Sequence, residues 1–181
     1  MPSVPALIMT NENAATTDNA KSKPDRRRKK PGGFRAKTTA RLGAVQVLYE
    51  LEMNPDRKIE AAVRDYLERP PPTDPDDDGE ATIVPPDTQL LSKIVRGTVA
   101  QDHDLDAMID GQITAPWSAD RIEPLLRCVL RAGAYELLNH GEFDTSLLIK
   151  EYMAVTDGFF SEKEPKLVNA VMDRLAKTLR G

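Results

Sequence analysis

The chain has 181 residues, a formal net charge of −4, 14 prolines, one cysteine and only 5% aromatic residues. The length suits one domain with its own core. The lone Cys128 excludes a disulfide framework and a Cys-rich zinc site, and no apolar run approaches the roughly 18 residues of a membrane span. The average charge conceals an asymmetry. Residues 1–37 hold nine cations against Glu12, Asp18 and Asp25, a charge of +6 that leaves −10 on the remainder. A basic arm on an acidic body differs in kind from a mildly acidic protein.

Residues 1–35 read as a disordered basic arm, rich in Pro, Asn, Thr, Lys and Arg and broken by Pro31-Gly32-Gly33. Its one apolar stretch, Ala6-Leu7-Ile8-Met9, follows prolines rather than lysines, unlike a secretory signal. Acids and prolines also argue against a transit peptide, and the expected location is the cytoplasm.

Residues 36–181 form the expected folded domain. The first helix is expected from Thr38 or Thr39, with Ala40, Ala44, Val47, Leu48 and Leu51 on one face and Asn54-Pro55 as its stop. Asp56 is the expected cap of a second helix with Ile59, Ala62, Val63, Tyr66 and Leu67 inward. Residues 70–86 then carry prolines and five acids (Asp74, Asp76, Asp77, Asp78 and Glu80), an acidic insertion loop that repels nucleic acid.

Asp87 or Thr88 opens a long third helix whose apolar rhythm runs through Leu90, Leu91, Ile94, Val95, Leu105 and Ile109. Ala115-Pro116-Trp117 closes it. Pro124 opens the fourth, which has the cleanest apolar stripe and Gly141 as its stop. The fifth spans Asp144 or Thr145 to Gly158, and the sixth begins between Ser161 and Pro165. No segment alternates with period two for long. The expected fold is all-α, a single bundle of six or seven helices without internal repeat.

Five strings occur along these helices. They are Ala44-Val45-Gln46-Val47-Leu48-Tyr49, Val95-Arg96-Gly97, Val129-Leu130-Arg131-Ala132-Gly133-Ala134-Tyr135-Glu136-Leu137, Ile149-Lys150-Glu151 and Lys166-Leu167-Val168-Asn169-Ala170-Val171-Met172-Asp173. In this order and spacing, across residues 36 to 180, the chain resembles the transcription antitermination factor NusB family. The resemblance implies a helical RNA-binding protein that pairs with the ribosomal protein NusE. The pair binds boxA-type single-stranded RNA of ribosomal RNA leaders and joins an RNA polymerase complex that reads through terminators. It implies no enzyme, no cofactor, no membrane partner, and a monomer or a homodimer. The same fold serves an rRNA cytosine methyltransferase, whose catalytic domain has no counterpart in these residues.

The sequence departs from the family pattern at several places. Where the family starts its first helix with tightly spaced arginines, this chain has Lys37-Thr38-Thr39-Ala40-Arg41. Lys150 stands for an Asn, and Leu167 and Ala170 for an aromatic and a Gly. The acidic loop replaces a short connection.

Phosphate neutralisation points to Arg26, Arg27, Arg28, Lys29, Lys30 and Arg35 on the arm. Lys37 and Arg41 are an i, i+4 pair of like charges, expected to project together towards an anion. Lys163 and Lys166 at the start of the last helix are secondary candidates. Phe34 is either a stacking platform or, as preferred, a hydrophobic staple onto the first helix.

Arg131, Tyr135, Glu136 and Asn169 read as structural, with Arg131 expected to pair with an acid such as Glu151. His103 and His140 lack any second-ligand spacing. There is no phosphate-cradling glycine loop or nucleophile elbow. Cys128 reads as an inert buried thiol. The calcium-like start Asp74-Pro75-Asp76 is spoiled by its prolines, with Pro85 where a bidentate Glu belongs. The rival readings are a protein-binding adaptor without specific RNA binding and an orphaned RNA-modification module.

Overall fold

The computed structural model describes residues 32–69, 84–161 and 163–181, with side chains from residue 36 onward. The described residues form seven α-helices and one 3-10 turn, with no strand among them: α1 (Gly32–Met53), α2 (Ile59–Glu68), α3 (Thr88–Ala100), α4 (Asp102–Asp110), the turn Ala119–Arg121, α5 (Pro124–Asn139), α6 (Thr145–Asp157) and α7 (Glu164–Arg180). The all-α expectation is borne out.

The bundle is built around α5. It touches α1, α3, α4, α6 and α7, while α1 packs on α2, α3 and α6 as well. From Leu126 to Leu137 nearly every α5 residue is buried, so this helix is enclosed except along one narrow stripe through Arg127, Arg131 and Leu138. Close approach to it requires missing side chains. A Cβ on Gly97 of α3 would lie 2.0 Å from Cζ of Tyr135, and one on Gly133 would lie 2.6 Å from Sδ of Met172. The Val-Arg-Gly string and the Tyr-Glu-Leu string are therefore two sides of one contact.

Three elements differ from the expectation. α1 begins at Gly32, directly after Pro31, rather than at Thr38. Glycines in a first turn carry a helix penalty, so sequence pattern alone stops short of them. The expected long third helix is two, because Gln101 leaves helical geometry (φ −124°, ψ 16°) between α3 and α4. A one-residue break leaves the apolar rhythm intact on both sides and is invisible to periodicity. α2 is preceded by Lys58 rather than capped by Asp56. Its entry is fixed instead by Arg57, which reaches Glu50 at 2.6 Å and Asp65 at 2.7 Å.

Other stops and caps follow the chemistry of their residues. Asn54 donates from Nδ2 to the carbonyl of Glu50 at the end of α1. Asp87 accepts from the Leu90 amide, and Asp144 from those of Ser146 and Leu147. Gly141 directly follows the cap residue His140, so α5 ends where its stop is expected, though without a left-handed glycine. Nothing crowds Gly141, and the helix stops at Asn139, where another helix supplies the cap: Arg180 of α7 donates to the carbonyls of Glu136, Leu137 and His140. No helix among the described residues is long and apolar enough to cross a membrane.

Candidate nucleic-acid interface

The middle of α1 is joined to α5 and α6 by a buried ionic junction. Arg41 donates from Nε to Glu136 Oε2 at 2.6 Å and from Nη2 to Oε1 at 3.0 Å. Its Nη1 lies 3.5 Å from Glu151 Oε2. Tyr152 donates its hydroxyl to Glu136 Oε2 at 2.8 Å, and His140 Nδ1 lies 3.4 Å from Glu136 Oε1. Burial alone would raise the Glu136 carboxyl above its ordinary range. The close approach of His140, the bonds from Arg41 and Tyr152 and the guanidinium charge outweigh burial and hold it below. Burial first, and then Glu136, push the Tyr152 hydroxyl well above its ordinary value.

This geometry corrects the reading of Arg41. It does not project beside Lys37 towards an anion. It is 1% exposed, because the fully buried Glu136 carboxylate on α5 needs a cation, and the helix face that carries Arg41 is the one packed on α5. Glu136 was the available signal: a lone acid inside the longest buried stripe demands a partner from elsewhere. Glu151 accordingly serves Arg41, while Arg131 pairs with Asp106 at 2.6 Å and Glu52 at 2.7 Å, not with Glu151 as expected.

Lys37 remains half-exposed, its Nζ 4.7 Å from the centre of the Phe143 ring. Lys163 and Lys166 are exposed, but at the other end of the bundle. Arg180, at the far end of α7, donates to the carbonyl of Phe143. The rise of a 17-residue helix therefore puts about 25 Å between that end and the start of α7. Lys37 and the pair Lys163 and Lys166 therefore stand at opposite ends of the bundle and do not converge on one pocket.

Arg26 to Lys30 lie outside the described residues, as do the acids of the insertion loop and the start of its calcium-like pattern. Arg35 and Phe34 lie in α1, and their side chains are outside the described ones. Asn169, expected to bond inside the bundle, is exposed on α7. Leu167 fills a core position. Cys128 is buried, with its thiol pushed up to about 12 by burial and by the nearby Glu52, as expected of an unreactive side chain. Among the described residues no group of His, Cys, Asp and Glu could hold a metal ion.

These features define a class: an all-α bundle on a buried central helix, with a cationic chain segment leading into a first helix anchored by an Arg–Glu junction. The model of the NusB family matches residues 38–177. The chain is 39% identical over 155 residues to the transcription antitermination protein NusB of Rhodospirillum rubrum, covering 79% of this chain and 84% of that protein. It is 36% identical over 142 residues to the protein of the same name from Sinorhizobium fredii, covering 78% and 86%. The chain belongs to the NusB family.

Solved structures share its fold. NusB from T. maritima superposes with a TM-score of 0.61 at 24% identity, over 82% of this chain and 92% of that one. A crystal structure of antitermination factors NusB and NusE in complex with dsRNA includes a chain with a TM-score of 0.62 at 20% identity, over 78% and 96%.

Proposed function

We propose that this chain is an RNA-binding antitermination factor. With the ribosomal protein NusE it binds boxA-type single-stranded RNA of ribosomal RNA leader transcripts and supports read-through by RNA polymerase in the cytoplasm. It catalyses no reaction and needs no cofactor. The observation that carries this reading is the family match over residues 38–177, with relatives named for transcription antitermination. The solved complex of NusB and NusE with double-stranded RNA lends support for both kinds of partner.

The chemistry fits an arm-first mode of binding. Arg26, Arg27, Arg28, Lys29, Lys30 and Arg35 supply phosphate contacts just ahead of the body. Lys37 continues them onto it, and Lys163 and Lys166 extend the track along α7. The acidic remainder of the chain repels RNA elsewhere and so confines it to this track.

The test is binding of the full chain with NusE to boxA RNA and to a scrambled RNA. Tighter binding to boxA is expected, and equal affinity overturns the specificity. Deleting residues 1–33 should weaken binding and reduce its salt slope by about 0.7 for each phosphate left without its cation. The acidity of the body favours one alternative, a protein-binding adaptor whose arm serves only solubility. It predicts no RNA binding with or without the arm. Sizing at several concentrations, with and without NusE, reads whether a homodimer competes with the RNA-binding state.

A further inference from the structure

The loop between α5 and α6 meets α1 where Lys37 stands. Lys37 Nζ lies 4.7 Å from the centre of the Phe143 ring, and Arg41 Cζ lies 5.0 Å from the same centre. The loop is held in place from two sides. Arg180 donates to the carbonyls of Phe143 at 2.8 Å and His140 at 2.9 Å. Arg41, against the ring, is locked by Glu136.

Phe143 is flanked in sequence by two acids, and Lys37 pairs with neither. Asp144 caps α6 and accepts from the Ser146 hydroxyl. Glu142 Oε1 lies 3.8 Å from His140 Nδ1. Among the described residues Lys37 has a ring contact and no carboxylate partner. An ammonium resting on an aromatic face keeps its charge and its outward N–H donors, whereas an ion pair would consume both.

We propose that Phe143 is a positioning residue for RNA binding: its ring holds the Lys37 ammonium clear of Glu142 and Asp144 and presents it to an RNA phosphate. The role rests on the RNA-binding reading above. Leucine at 143 fills the same space without a π face, and the freed lysine then turns to the loop acids. Tryptophan keeps the π face.

The test uses the full chain with NusE and a boxA RNA, followed by fluorescence anisotropy over a range of salt. Phe143→Leu should weaken binding by about two- to fivefold and lower the salt slope towards that of Lys37→Met. Phe143→Trp should restore both. The double variant K37M/F143L should bind no more weakly than K37M alone. An F143L chain that binds like the wild type while K37M binds more weakly overturns the role, as does a double variant in which the two losses multiply.

NMR of the free chain tests the contact separately. The Lys37 ε-methylene should show an upfield ring-current shift that F143L abolishes, and its absence in the wild type also overturns the proposal. Where that shift is present but the wild-type chain binds no RNA, the RNA-binding reading fails and the positioning role falls with it. Where RNA binds and only K37M weakens it, the positioning role fails alone.

Discussion

Two arginine-centred ionic clusters tie α1 to α5, and they sit in different media. At one, Arg41 spans Glu136 and Glu151 with side-chain exposures of 2%, 0% and 7%. At the other, Arg131 spans Asp106 and Glu52 with exposures of 17%, 30% and 39%. Both place one guanidinium between two carboxylates within ion-pair distance. Water reaches the second and not the first. The Arg41 cluster has to be complete, because a charge stranded in the core has no solvent to fall back on. The Arg131 cluster can lose a member and let water replace it. Similar geometry therefore carries unequal weight.

The sharpest test of that contrast is Arg41→Met, which strands Glu136 and Glu151. It should cost about 3–5 kcal/mol, read from urea unfolding at pH 8. Acid should shrink this loss. In the wild type the folded-state Glu136 carboxyl lies below its ordinary value. It contributes stability above the unfolded carboxylate range and loses it as pH falls through the folded value. Without the guanidinium, burial acts with less opposition and favours the protonated acid, so the gap between variant and wild type should narrow from pH 8 to pH 5. A gap independent of pH would mean that the two carboxylates are not the source of the loss.

A neutral contact between α3 and α5 gives an intermediate mark. Gly97→Ala forces a methyl into the ring of Tyr135 and should cost about 1–3 kcal/mol. Y135L in the same chain should relieve part of it, since the clash is with that ring; no relief would place the strain elsewhere. The smallest effect belongs to Arg131→Met, expected within about 1 kcal/mol in the same unfolding assay because solvent screens the site. If R131M matched R41M, burial would not be what separates the two clusters.

Much of the fold is legible in the residues. Asp87, Asp144 and Pro124 start helices where their chemistry says they do, since a capping carboxylate or a fixed φ acts within one turn. The missed features depend on partners far along the chain. Arg41 and Glu136 are 95 positions apart, and Arg180 caps α5 across 43 positions from Leu137. A local rule places the end of α5 at Gly141 but not the arginine that caps it, and assigns Arg41 as a surface cation, because nothing within a turn of either reveals the distant group.

By itself, the sequence determined the class: the helical periodicities, the charged arm on an acidic body and the ordered strings that mark the family. These are local or compositional quantities, set by backbone geometry and by which side chains water tolerates. Only the tertiary structure decided which cation serves the core and which faces solvent. Lys37 and Arg41 lie one turn apart. Arg41 meets a carboxylate inside the bundle and is consumed there, while Lys37 meets an aromatic ring at its edge and keeps its charge. The difference comes from the low dielectric around α5, where a charge persists only with its counter-charge in place, and packing alone determines where that counter-charge lies.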